Sequence, residues 1–361
     1  MKKLDFSSQI LTQIDRYSDS FALPDYLYDE NGKFDRAATL SLLYAEEYGV
    51  LCEDGISVSV TVEKEDATRC GGKCKNCMNL TFTMEKNGIS SSFPVHLFLA
   101  DTSVPTPLVV FINFPVEINR CYNPVEDAME RGISIAHVCY RDVTSDNDDF
   151  TDGIAKLFGD RSDPHAPGKI AMWAYAVRQI GAYCVKQGYT TPDLLYTAGH
   201  SRLGKTALLA AAQDDIFAGT CTNNSGCSGA AIARETRGET VERISHVFPF
   251  WFAPCYQQYS DRETEMPFDQ HYLMACVAPR RVCVITAELD TWADTEAQYL
   301  CAEAASKVYE EAGCAGFVRG ETLLHAGECS LRGEIGFVCL HGTHYMGKDN
   351  WNAFMDFIKT K

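Results

Sequence analysis

From Ile56 the chain alternates apolar and polar residues through three successive stretches, ISVSVTV, MNLTFTM and SSFPVHLFLA. Period-two alternation is the mark of strands that bury one face, so these predict three antiparallel strands at a sheet edge. Farther on, the pattern becomes unbroken apolar runs: LVVFIN (108–113), ISIAHVCY (133–140), LLYTAG (194–199), RVCVITAE (281–288) and IGFVCLHG (335–342). Such runs suit strands covered on both faces. Between them, helical spacing marks 168–187, 203–214, 293–312 and 348–359. Strands alternating with helices predict an α/β protein, a three-layer αβα sandwich around a mostly parallel central sheet. Residues 1–50 are polar with apolar positions at helical spacing, among them Ala37, Leu40, Leu43 and Tyr44. They predict a helical N-terminal extension packed, without a linker, on a main domain of residues 51–361.

Composition narrows the function. A formal charge of -17 argues against nucleic acid or an anionic membrane as partner, because both are recognised through clustered Lys and Arg. No uncharged apolar run reaches the roughly 18 residues of a membrane span. The 16 cysteines are scattered through apolar stretches rather than spaced as a disulfide framework, and read as reduced core thiols. The start, MKKLDFSSQILTQIDRYSDSF, lacks the apolar run of a signal peptide. The expected location is therefore cytoplasmic, or secreted if a leader has been removed. Nothing in the pattern specifies an oligomeric state.

The segment LLYTAGHSRLGKTALLAAAQD runs from a buried strand through a glycine-containing turn into an Ala/Leu-rich helix, with Ser201 at the turn. Two readings are open there. Ser201 is either the N-cap of the helix or the nucleophile of an elbow, whose strained turn lifts the hydroxyl above the sheet. Gly199 stands where an elbow needs a small residue; the second glycine is displaced to Gly204, giving G-x-S-x-x-G. The later strands favour the nucleophile. LDTWADTE, after RVCVITAE, offers Asp290 and Asp294, and THYMGKDNW, after IGFVCLHG, offers His344. Serine, acid, histidine is the triad order of the α/β-hydrolase fold. A serine needs a base for its proton, and the base needs a carboxylate to hold its tautomer and stabilise the imidazolium.

At GHSRLGK the sequence resembles the glucuronoyl esterases, carbohydrate esterase family 15. CGGKC, MWAYAVRQIGAY, FPFWF, MPFDQHYLMACVAPRRV and LDTWAD are similar to segments of that family in the same order, so the resemblance spans about residues 68–357. It implies a serine carboxylic-ester hydrolase that cleaves esters of (4-O-methyl)glucuronic acid through an acyl-enzyme, needing no cofactor and no metal. Carried over by position, it implies Ser201 as nucleophile, His344 as base, and Arg202 as a side-chain donor to the oxyanion. Lys205 and Trp292 match positions that contact the uronic sugar, with Glu239 as a further candidate. Arg202 could instead pair with a surface carboxylate, and Trp292 could pack in the core.

There is one departure. Many members carry the triad acid as a glutamate after the strand that follows the elbow helix, and CTNNSGCSG here has Asn224 at that place. The acid is then expected at Asp290, with Asp294 and Glu288 as alternatives. A small-ester or acetyl carbohydrate esterase, and a carbohydrate-binding pseudoenzyme, are the rival functions. Cys70, Cys74 and Cys77 are spaced as zinc ligands often are, but strand alternation there sends neighbouring side chains to opposite faces. His341 and His271 read as structural, and His200 is expected to point away from the nucleophile.

Overall fold

A computed structural model describes residues 22–65, 73–115, 122–159, 161–234, 236–319 and 326–360. Its centre is one ten-stranded sheet: β1 (Ser57–Glu65), β2 (Cys74–Lys86), β3 (Ile89–Ala100), β4 (Leu108–Asn113), β5 (Ser134–Cys139), β6 (Leu195–His200), β7 (Gly219–Asn223), β8 (Arg281–Ala287), β9 (Glu328–Ser330) and β10 (Ile335–Leu340). The order across it is β1-β2-β3-β5-β4-β6-β7-β8-β10-β9. The six strands from β5 to β10 in that order pair in parallel, and β1, β2, β3 and β9 add antiparallel edges.

The apolar runs become strands because helices cover both faces. Along β8, Val282 and Val284 join one core, and Cys283 and Ile285 join the other. The larger core packs α2 (Lys169–Lys186), α3 (Arg202–Gln213), α4 (Gln270–Ala275) and α5 (Thr295–Glu311). The smaller core packs α6 (Lys348–Lys359) through Trp351, Phe354 and Phe357.

The N-terminal reading needs correction within the described residues. Only α1 (Arg36–Leu43), capped by Asp35 and continued by a π-turn at Tyr44–Tyr48, is helical there. Before it, Asp29 accepts from the Asn31 and Lys33 amides to form a turn, which breaks any longer helix. Residues 1–21 lie outside the described residues. The stretch is tied to the main body by Tyr26 Oη to the Ala304 carbonyl, 2.9 Å, and Arg36 Nε to the Cys276 carbonyl, 2.7 Å.

Alternation also fails at Cys74 and Cys77. A register shift between Cys74 and Asn76 returns both thiols to one buried side, in the smaller core. Cys70 lies outside the described residues. Among the described residues, no group of three or more His, Cys, Asp or Glu side chains is placed to hold a metal ion, and no helix is long and apolar enough to cross a membrane.

Candidate active site

The C-terminal ends of β6, β8 and β10 bring the pieces together. Ser201 follows β6 with φ 58° and ψ −127°, a left-handed conformation unusual for any residue but glycine. Although it occupies the N-cap place of α3, its side chain makes no capping bond. The Ser201 hydroxyl instead lies 2.8 Å from His344 Nε2. The side chain thus faces His344 rather than capping the helix. The glycine spacing has an equally direct cause: a Cβ on Gly199 would collide with the Leu203 carbonyl, and one on Gly204 would crowd Ser225 and the Asn223 carbonyl. Gly204, not residue 203, is where helix and neighbouring strand approach.

His344 sits in the loop after β10, its imidazole about one-third exposed. Its Nδ1 lies 2.6 Å from Asp290 Oδ2, and Asp290 Oδ1 accepts from the Ala293 amide at 3.1 Å. The Asp290 side chain is 2% exposed. The other two acids are committed elsewhere. Asp294 caps α5 and also accepts from the Arg237 amide at 2.7 Å, and Glu288 bonds His341 at 2.8 Å. An unbroken hydrogen-bond chain thus runs Asp290–His344–Ser201. It can withdraw the hydroxyl proton and hold the resulting imidazolium.

The His200 ring lies 4.6 Å from that of His344. Asn223 Nδ2 meets His200 Nδ1 at 2.8 Å, and Asn350 holds Asn223 in turn. Burial, and then the neighbouring His344, push the His200 pKa down to about 3. A neutral ring is therefore tilted against His344, adding no positive charge at neutral pH. His271 is buried, with Nε2 at 3.3 Å from the Pro24 carbonyl and its pKa lowered by burial to about 4.

Arg202 opens α3, so its backbone N–H is among the first-turn donors that a helix leaves without an internal partner. Its guanidinium lies over Trp251, 4.4 Å from the ring centroid, and over Phe248, at 4.9 Å. It pairs with Asp146, a buried carboxylate rather than the surface one considered above. Sequence reading assigned no role to Asp146, nor to Trp251 within the FPFWF segment. Asp146 stands in the acidic run SDNDDF, which resembles any solvated loop, and only the fold brings it to Arg202.

Lys205 and Glu239 are turned inward and hold each other. Both are almost fully buried, with Lys205 Nζ 2.6 Å from Glu239 Oε2 and donating also to the Ser225 and Cys227 carbonyls. All three ammonium donors are occupied inside the protein. Trp292, by contrast, is 38% exposed, so it is not a core side chain, and Arg243 lies over its ring at 5.6 Å. The Glu239 amide donates to the Trp292 carbonyl at 2.8 Å, tying the two segments.

Asn224 has φ 46° and is buried beside the loop of the base. Its Nδ2 donates to the Thr343 carbonyl at 3.4 Å, while Oδ1 is buried without a hydrogen-bond partner. Position 224 is thus adjacent to His344 in the fold, and the amide tethers the loop.

The model of a family described as "Glucuronyl esterase, fungi" matches residues 82–313. Carbohydrate esterase MZ0003, from an unknown prokaryotic organism, is 34% identical over 237 residues, covering 64% of this chain and 54% of that protein. The 4-O-methyl-glucuronoyl methylesterase of Neurospora crassa is 28% identical over 189 residues, covering 47% of this chain and 48% of that protein. The chain thus spans about half the length of the curated relatives it matches. A solved structure described as a promiscuous CE15 esterase from a marine bacterial metagenome superposes with a TM-score of 0.82 at 26% identity, covering 94% of this chain and 96% of that one. With its α/β-hydrolase sheet and a family match across most of that sheet, the chain belongs to the glucuronoyl esterase family, carbohydrate esterase family 15.

Proposed function

We propose that the protein is a serine carboxylic-ester hydrolase acting on esters of (4-O-methyl)glucuronic acid. The observation that carries the proposal is the Asp290–His344–Ser201 hydrogen-bond chain on an elbow whose helix begins with Arg202. His344 Nε2 takes the Ser201 proton as Oγ attacks the ester carbonyl. The oxyanion that forms meets the Arg202 N–H, the positive end of the α3 dipole and the Arg202 guanidinium. Collapse expels the alcohol, protonated by the imidazolium, and leaves an acyl-enzyme. Water, deprotonated by His344, then releases the acid. Asp290 keeps Nδ1–H directed away from serine and stabilises the charged ring; fixed by the Ala293 amide, it can do so without the glutamate that Asn224 replaces.

The uronate substrate is supported by family membership and by the exposed Trp292 face, a surface on which a sugar ring can stack. A second reading has its own observation. Because Lys205 and Glu239 are internal, fewer groups recognise sugar hydroxyls, and a relative in structure is described as promiscuous. An acetylated sugar or another small ester would then be the better substrate. Comparing kcat/KM on methyl 4-O-methylglucuronate and on an acetylated xyloside separates the readings. A preference of tenfold or more for the uronate supports the first, and the reverse preference overturns it. The pseudoenzyme reading requires an idle triad, and hydrolysis of either ester that is lost in Ser201→Ala would exclude it.

A further inference from the structure

Arg202 carries five N–H donors in a rigid fork, and only some have protein partners. Nη1 is taken by Asp146, and the guanidinium plane rests on Trp251. Nε is buried with no hydrogen-bond partner. That buried Nε–H faces the protein interior; Nη2 makes no hydrogen bond among the described residues, and with the side chain 20% exposed it is the corner of the fork left open to a ligand. Asp146 is itself held on several sides. Its Oδ1 accepts from Trp251 Nε1 at 2.8 Å, and its Oδ2 accepts from the Tyr140 hydroxyl at 2.8 Å. The loop that carries it is anchored from below, where the buried Lys169 donates to Thr144 Oγ1 at 2.8 Å and to the Asp149 carbonyl at 2.6 Å. Trp251 therefore contacts Arg202 through its ring face and Asp146 through its indole N–H, and these three side chains close a ring of contacts.

We infer that Asp146 and Trp251 are positioning residues that clamp the Arg202 guanidinium, leaving its unpaired N–H edge preorganised for the oxyanion. The inference rests on the reading of Arg202 as the oxyanion donor. A guanidinium on a flexible stem in water would have to be ordered at the moment of reaction; here Asp146 fixes one corner of the fork and Trp251 fixes its plane by cation–π contact. The clamp acts on the charge that develops in the transition state, so its loss belongs in kcat rather than KM.

The test is a double-mutant cycle on a soluble methyl glucuronate ester, with Asp146→Ala, Asp146→Asn, Trp251→Phe, Arg202→Ala and each first-residue change combined with Arg202→Ala. Arg202→Ala should lower kcat by about 10²–10³-fold. Asp146→Ala should lower it by about 10–100-fold, the order expected when a donor is misplaced by an ångström, with KM changed by less than about threefold. Asp146→Asn, which keeps an acceptor but loses the charge, should fall between wild type and Asp146→Ala. Trp251→Phe, which keeps a ring under the guanidinium but loses the bond to Asp146, should do likewise. In the Arg202→Ala background each change should matter by less than about twofold, because the object being positioned is gone. Equal losses with and without Arg202, an effect confined to KM, or a harmless Asp146→Asn together with a harmless Trp251→Phe would overturn the inference. Should Asp146→Ala fail to fold, the Asn and Phe variants decide it alone. If Arg202→Ala itself leaves kcat unchanged, the oxyanion assignment fails, a result distinct from failure of the clamp.

Discussion

Replacing Lys205 by methionine keeps the length of the side chain and removes its charge, which exposes what the buried pair does. In the folded protein Glu239 is 3% exposed, and its carboxylate faces Lys205 Nζ at 2.6 Å. Stripping one partner from such a pair typically costs about 3–5 kcal/mol, because the other charge stays buried and uncompensated. Two carbonyls, of Ser225 and Cys227, also lose their donor. Removing the remaining charge as well, in Lys205→Met/Glu239→Gln, should recover the ionic part and leave about 1–3 kcal/mol for the orphaned carbonyls. Denaturant unfolding of the single and double variants measures both terms. Activity per folded molecule should fall alike on a uronate ester and an aryl acetate, since the change acts through the loop rather than through sugar hydroxyls. If Lys205→Met were as stable as wild type and lost activity on the uronate alone, the pair would have to open to bind sugar, and the structural reasoning would be wrong.

Asp290→Asn should lower kcat by about 10³–10⁴-fold, whereas Asp294→Asn should leave kcat within a few-fold and cost about 1 kcal/mol of stability by weakening the α5 cap; steady-state kinetics and thermal unfolding of the pair check this. In the Asp290→Asn background, Asn224→Glu should restore part of kcat, because residue 224 already contacts the loop of His344; no recovery would show that the two positions are not interchangeable. Burial raises the Glu47 pKa to about 7 from an ordinary value of 4.5. The unfolded chain therefore releases a proton between these values that the folded one keeps. Stability from this group is fully present below about pH 4.5 and is lost as pH rises to about 7, by roughly 2–4 kcal/mol. Glu47→Gln should flatten that decline in urea-unfolding midpoints measured from pH 5 to 8, and an unchanged slope would refute the assignment.

The strands could be read from the chain wherever burial on both faces demands continuous apolar residues. LVVFIN occupies Leu108–Asn113 as β4, and RVCVITAE supplies β8. β7 escapes that logic. GTCTN is fully buried yet mostly small and polar, because its residues lie between β6 and β8 and two of them, Thr222 and Asn223, spend their side chains on internal hydrogen bonds. The residues of the Asp290–His344–Ser201 hydrogen-bond chain were legible as order along the chain. Choosing Asp290 over Asp294 depends on which carboxylate points to the ring and which caps a helix, a difference of geometry within one loop. Lys205 and Glu239 lie 34 residues apart, and Arg202 and Asp146 lie 56 apart. No local pattern announces such partners, so the internal Lys205–Glu239 pair could not be read from the chain.

The central claim is that Ser201 is a nucleophile activated by His344. Intact-protein and peptide mass spectrometry after treatment with a fluorophosphonate tests it most directly. The account predicts one stoichiometric adduct on Ser201, absent in Ser201→Ala, slowed by orders of magnitude in His344→Ala, and suppressed by excess methyl glucuronate ester. An unmodified Ser201 in protein that still hydrolyses the ester would contradict it, as would equal labelling with and without His344.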